Sequence, residues 1–136
     1  MPNHNINWYI AGHVLYVRAP QHITMETVGE FNEQILTFLN TAEDRVHLII
    51  DARAIETMPH NPVAMREALT LLNHFLIGWM VFITEDKGVQ FLASIIANML
   101  SRAKSQTVTD FNEAVAFLKD REHTIDWENT NENTLA

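Results

Sequence analysis

Apolar positions recur along this chain in two rhythms: short runs that alternate or are continuous, and longer stretches with a spacing near 3.6. Positions 6–10 (Ile-Asn-Trp-Tyr-Ile) and 14–17 (Val-Leu-Tyr-Val) predict two strands joined through Ala11-Gly12 as a hairpin. The second is apolar at consecutive positions, as expected of a strand covered on both faces, and Ala19-Pro20 ends it. Thr24 then offers an N-cap, with Glu26 and Glu30 near the positive end of a helix. Val28, Phe31, Ile35, Phe38 and Leu39 give that helix one apolar stripe, and Glu30, Glu33 and Gln34 take the other side. A third strand over 46–50 carries Leu48, Ile49 and Ile50 in succession and ends at Asp51.

Asn61-Pro62 supplies a cap followed by proline at the first helical position, and Met65, Ala68, Leu69 and Leu72 form the stripe of a second helix. Positions 78–84 (Gly-Trp-Met-Val-Phe-Ile-Thr) predict a fourth strand, apolar on both faces. The third helix is expected over 88–104, with Val89, Leu92, Ala93, Ile96, Met99 and Leu100 on one side. Thr107-Val108 reads as a short fifth strand. Asp110 and Glu113 then form a capping-box-like pair ahead of Phe111, Ala114, Val115 and Leu118. The order is β-β-α-β-α-β-α-β-α. Helices between successive strands require crossover connections, so the expected fold is an α/β domain over 1–120 with a mixed, mostly parallel sheet. From 121 to 136 the chain turns polar and acidic, with Asp126, Glu128 and Glu132 among Asn and Thr. It reads as a partly flexible tail in which Trp127 is the large apolar group.

The 136 residues, 47% of them apolar, suffice for one core without staples. The net charge of −8 and nine scattered basic residues argue against nucleic acid as the main partner. There are no cysteines, which excludes disulfides, thiolate metal sites and cysteine nucleophiles. The first seven residues are polar rather than leader-like, and no uncharged apolar stretch approaches the roughly 20 residues of a membrane span. The expectation is a soluble cytoplasmic protein.

Candidate chemistry concentrates in the connection 51–61. It follows a presumed parallel strand, where open α/β sheets place ligands, and it leads into a helix N-terminus. Asp51, Arg53, Glu56, Thr57, His60 and Asn61 offer polar groups there. Two readings fit them: a ligand or partner loop, or a strand end, a helix cap and solvated side chains. The seven histidines, at 4, 13, 22, 47, 60, 74 and 123, include no pair three or four apart, so no metal site is expected. His47, inside a strand, reads as a partly buried spacer. No Gly-x-Ser-x-Gly elbow surrounds Ser94, Ser101 or Ser105, and four glycines form no phosphate loop. Neither an enzymatic activity nor a cofactor is expected. The third helix adds an apolar flank of Phe91, Leu92, Ile95 and Met99, suited either to burial, with Trp127 as one cover, or to an interface.

The order of elements gives these segments their meaning: Val46-His47-Leu48-Ile49-Ile50-Asp51, Gly78-Trp79-Met80-Val81-Phe82-Ile83, Phe91-Leu92-Ala93-Ser94-Ile95 and the Glu-Ala-x-x-Phe-Leu helix ending at Leu118. Over residues 6–119 the chain resembles the STAS (SpoIIAA-like) family, more closely its short bacterial SpoIIAA-like members. The resemblance implies a regulatory or protein-interaction module, acting through a protein partner or as a homodimer through the third helix. In the anti-sigma-factor antagonists of the family, a serine at the second helix N-terminus is phosphorylated. Here Met58-Pro59-His60-Asn61-Pro62 has neither that serine nor the accompanying glycine, and Thr57 lies earlier in the loop. The resemblance therefore implies a binding surface without the usual phosphorylation switch. The alternative is a small apolar ligand or a lipid, as in the CRAL-TRIO-like relatives of the fold. Met25, Met58, Met65, Phe75 and Met80 would supply adaptable lining for it.

Overall fold

The computed structural model describes residues 5–98 and 104–131. In chain order these form β1 (Ile6–Ile10), β2 (Val14–Arg18), α1 (Met25–Thr41), β3 (Val46–Asp51) and α2 (Pro62–Ala68). A 3-10 turn (Thr70–Asn73), β4 (Ile77–Ile83), α3 (Lys87–Asn98), β5 (Lys104–Val108) and α4 (Phe111–Arg121) follow. One sheet holds all five strands in sequence order, β1-β2-β3-β4-β5. The β1–β2 hairpin is antiparallel, and the three pairings that follow are parallel. The α/β class and the mostly parallel sheet agree with the hydrophobic pattern.

Strand alternation divides the core in two. Leu15, Val17, Val46, Leu48, Ile77 and Met80 face one side, where Val28, Ile35 and Leu39 of α1, Met65 of α2 and Leu92 of α3 cover them. Tyr9, Val14, Tyr16, Ile49, Val81 and Ile83 face the other, under Ala114 and Leu118 of α4. Each crossover helix sits on the first side because successive strands always step the same way across the sheet. Among the described helices, α4 is the one on the second side.

Local signals explain the helix starts. Thr24 accepts from the Thr27 N–H at 3.2 Å, Asn61 from the Ala64 N–H at 3.1 Å, and Asp110 from the Glu113 N–H at 2.8 Å. Glu113 in turn reaches back to accept from the Thr109 N–H at 2.9 Å.

Three expectations need correction. The third helix was expected to run to Lys104, but Lys104 opens β5, which extends to Val108. As an edge strand β5 buries mainly Val108, so Lys-Ser-Gln-Thr-Val carries little strand signal. The second helix stops at Ala68, and its Leu72 belongs to the 3-10 turn. Within the stretch 121–131, Ile125 is buried, the Trp127 indole N–H donates to the Glu122 carbonyl at 3.0 Å, and the Asn131 N–H reaches the Tyr9 carbonyl at 2.7 Å. Trp127 packs on the second face, so it covers no part of α3, which lies on the first.

The break after α2 depends on Asn32, a buried polar residue within the α1 stripe. Its carbonyl oxygen accepts from the Leu71 N–H at 2.8 Å, and its amide donates to the Thr70 hydroxyl at 2.9 Å. Replacing it with Ala strands the Leu71 N–H in the core, at a cost of about 1–3 kcal/mol. Urea unfolding of Asn32→Ala should show a midpoint lowered accordingly with an unchanged slope.

Candidate functional site

The polar residues of the connection 51–61 do three separate jobs. Asp51 closes β3 on the α4 side of the sheet. Its carboxylate accepts from the Tyr16 hydroxyl at 2.7 Å and from Arg53 through Nε at 2.9 Å, Nη2 at 2.8 Å and the backbone N–H at 3.2 Å. Burial pushes this carboxyl up, but the Arg53 guanidinium and the Tyr16 hydroxyl together hold it below the usual carboxylate range. Burial, then the bond to Asp51, pushes the Tyr16 phenol up, so it stays a neutral donor.

Thr57 points elsewhere. Its hydroxyl meets His22 Nδ1 at 2.9 Å, and backbone bonds from Ile23, Glu56 and Thr57 tie the two segments together at 2.9, 2.7 and 3.2 Å. Asn61 caps α2, and His60 is exposed. These residues therefore do not converge. Two partners absent from the expected set, Tyr16 and His22, come from segments far away in sequence, which local spacing could not reveal.

Beneath the clipped segments lies a concavity of a different character. A cavity of about 130 Å³ sits on the first face at the carboxyl ends of the parallel strands. All eighteen residues lining it are apolar. Val17, Ile50 and Phe82 form its sheet floor, Met65 and Leu92 come from helices, and Ile23, Ile55 and Met58 form the roof under the His22–Thr57 clip. Ile50 and Phe82 belong to interior strands yet are only half-buried, because the cavity exposes them. Small side chains at Ala19, Ala52 and Ala93 leave the space unfilled.

Such walls offer no hydrogen bond to a guest. A polar group carried inside would be left unpaired, at a cost of roughly 2–7 kcal/mol. The volume resembles that of cavities that stay dry and admit benzene, roughly 150 Å³. It lies well below the roughly 300–1,000 Å³ of drug-sized sites. Of the five residues expected to line an apolar site, Met58, Met65 and Met80 do, whereas Met25 and Phe75 are exposed. The sequence signal was the large apolar pair Ile55 and Met58 within this connection.

No model of a known protein family matches the sequence, and no curated protein matches it. Function therefore has to be argued from these side chains.

The expected interface flank divides as well. Phe91 is 68% exposed, Ile95 is half-buried, and Leu92, at 7%, faces the cavity rather than solvent. Met99 lies outside the described residues. Among the described residues no group of three or more His, Asp or Glu side chains could hold a metal ion, and no helix is long and apolar enough to cross a membrane.

Because the Asp51 carboxyl is lowered in the folded state, its stabilisation is present above the ordinary value near pH 3.9 and lost as pH falls through the lowered one. Tyr16→Phe removes one hydrogen bond to a buried charge and should cost about 1.5–3 kcal/mol at pH 7. Urea midpoints at pH 7 and pH 3 should show a smaller acid loss in Asp51→Asn than in the parent chain.

Proposed function

We propose that this chain is a non-enzymatic α/β module of the SpoIIAA-like kind that binds a small apolar ligand at the carboxyl ends of its parallel strands. The wholly apolar 130 Å³ cavity carries this reading. The element order supports the SpoIIAA-like reading. Three methionines from a loop, a helix and a strand suit guests of varied outline, since thioether side chains adapt at little strain. The roof formed by Ile23, Ile55 and Met58 is held by loop segments rather than by regular elements, which gives a guest a route in.

Binding to the folded state alone raises stability by about 2.7 kcal/mol when free ligand is a hundred times Kd. Benzene and hexane near saturation should therefore raise the Tm of the parent chain. Ala93→Leu, which fills the cavity, should be more stable by about 0.5–2 kcal/mol on its own and indifferent to both hydrocarbons. A parent Tm unchanged by either, with no apolar molecule carried through purification by native mass spectrometry, would refute ligand binding.

A second reading, protein interaction, has its own observation. Phe91 on α3 and Val63 on the neighbouring α2 are 68% and 52% exposed. A self-associating surface here predicts a dimer by native mass spectrometry and light scattering that Phe91→Glu converts to monomer. A monomer in both rules out self-association through α3.

A further inference from the structure

His47 is 2% exposed and bonded through both ring nitrogens. The sheet is built around it. Between Val46 and Leu48 the β3–β4 register slips, so that Gly78 and Trp79 stand opposite His47 alone. The bulge turns the Trp79 N–H away from the β3 backbone, and His47 Nδ1 accepts it at 2.9 Å. Gly78 makes room for the ring: a Cβ there would lie 2.4 Å from Nδ1. Since Nδ1 accepts, the neutral ring carries its proton on Nε2, which points to the Glu122 carboxylate at 3.2 Å. Glu122 is the C-cap of α4, and its carbonyl holds the Trp127 indole.

We propose that His47 and Glu122 form an acid-sensitive latch. The neutral imidazole fixes the segment 122–131 to the sheet, and protonation releases that segment while the sheet stays folded. Three features favour this path. A proton on Nδ1 would set one donor against another at Trp79. An imidazolium so deeply buried needs water, and the layer above it is the α4 C-cap, not a strand. The segment itself is held by Ile125, Trp127 and a few bonds, whereas β3 is laddered on both sides.

Burial sets the direction, and the charges around the ring adjust it. Burial most strongly disfavours the imidazolium, Glu122 on α4 favours it, and Arg45 before β3 and His13 in the β1–β2 turn oppose it. On the β4–β5 side, Arg121 and Lys104 lie over the Trp79 ring. The net effect places the folded-state value below the ordinary one. The latch is therefore fully closed above about pH 6.5 and weakens as pH falls below it.

Hydrogen–deuterium exchange of the full chain at pH 7.5 and pH 5, corrected for intrinsic rates, tests this. The expected result is a several-fold loss of protection over 122–131 at pH 5, with β2, β3 and β4 still protected. His47→Asn, which keeps an acceptor near the Nδ1 position, should abolish the pH dependence. Glu122→Gln should lower the His47 titration midpoint and enlarge the acid response. Equal protection of the segment at both pH values, or the same acid loss in His47→Asn, overturns the latch. If His47→Asn does not fold, imidazole nitrogen NMR of the parent chain decides: an Nε2–H tautomer with a midpoint below 6.5 supports the latch, and an Nδ1–H tautomer or a midpoint at or above 6.5 refutes it.

Discussion

The direction in which successive strands are added governs this molecule. From β2 to β5 each parallel strand is laid on the same side of the one before, and each crossover helix falls on the same face. Three helices thus serve one face, while among the described residues the other has α4 and the segment that follows it. A single eleven-residue helix cannot cover a five-stranded sheet. The second face is completed by Ile125 and Trp127, although their surroundings in sequence are polar. Among the described residues, this segment extends the apolar cover of the second face beyond α4.

The same arrangement sorts polar from apolar chemistry through the two-residue repeat of β3. Val46, Leu48 and Ile50 face the three-helix side, and His47, Ile49 and Asp51 face α4. Two buried ionisable groups consequently share the thinner side, one at each end of the strand, and each has its own partners. Asp51 is met by Tyr16 and Arg53; His47 is met by the Trp79 N–H and Glu122. No buried side-chain nitrogen or oxygen among the described residues lacks a partner. Pairing on both sides makes these groups specific: shifting β3 by one residue would drive an imidazole and a carboxylate into the wholly apolar face.

How much of this the sequence carried depends on the range of the interaction. Thr24, Asn61 and Asp110 announced their helices because a cap acts within three residues. The continuous apolar runs of β2, β3 and β4 marked strands covered on both faces. Lys104 was lost to the third helix because an edge strand needs only one apolar residue in five. Asn32 gave no warning, since its partner is the N–H of Leu71, 39 positions on. The connection 51–61 drew attention in the sequence through its polar residues. Its contribution to the cavity comes from Ile55 and Met58, and whether apolar residues meet closely or leave a gap is decided by side chains from seven elements and loops. His47 read as a spacer because nothing within β3 discloses a bulge in β4 or a carboxylate 75 residues away.

The two faces also carry opposite energetic characters. On the second, buried polar groups are satisfied and fix one arrangement. On the first, packing is incomplete. A concavity of about 130 Å³ there leaves Ile50 and Phe82 only half-buried. A hydrocarbon guest would restore the missing dispersion contacts without asking any wall residue for a hydrogen bond. The void lies under loop segments at the strand ends, whereas the tight polar pairs lie on the opposite face. The groups that fix the register of β3 are thus kept apart from the loosely packed region.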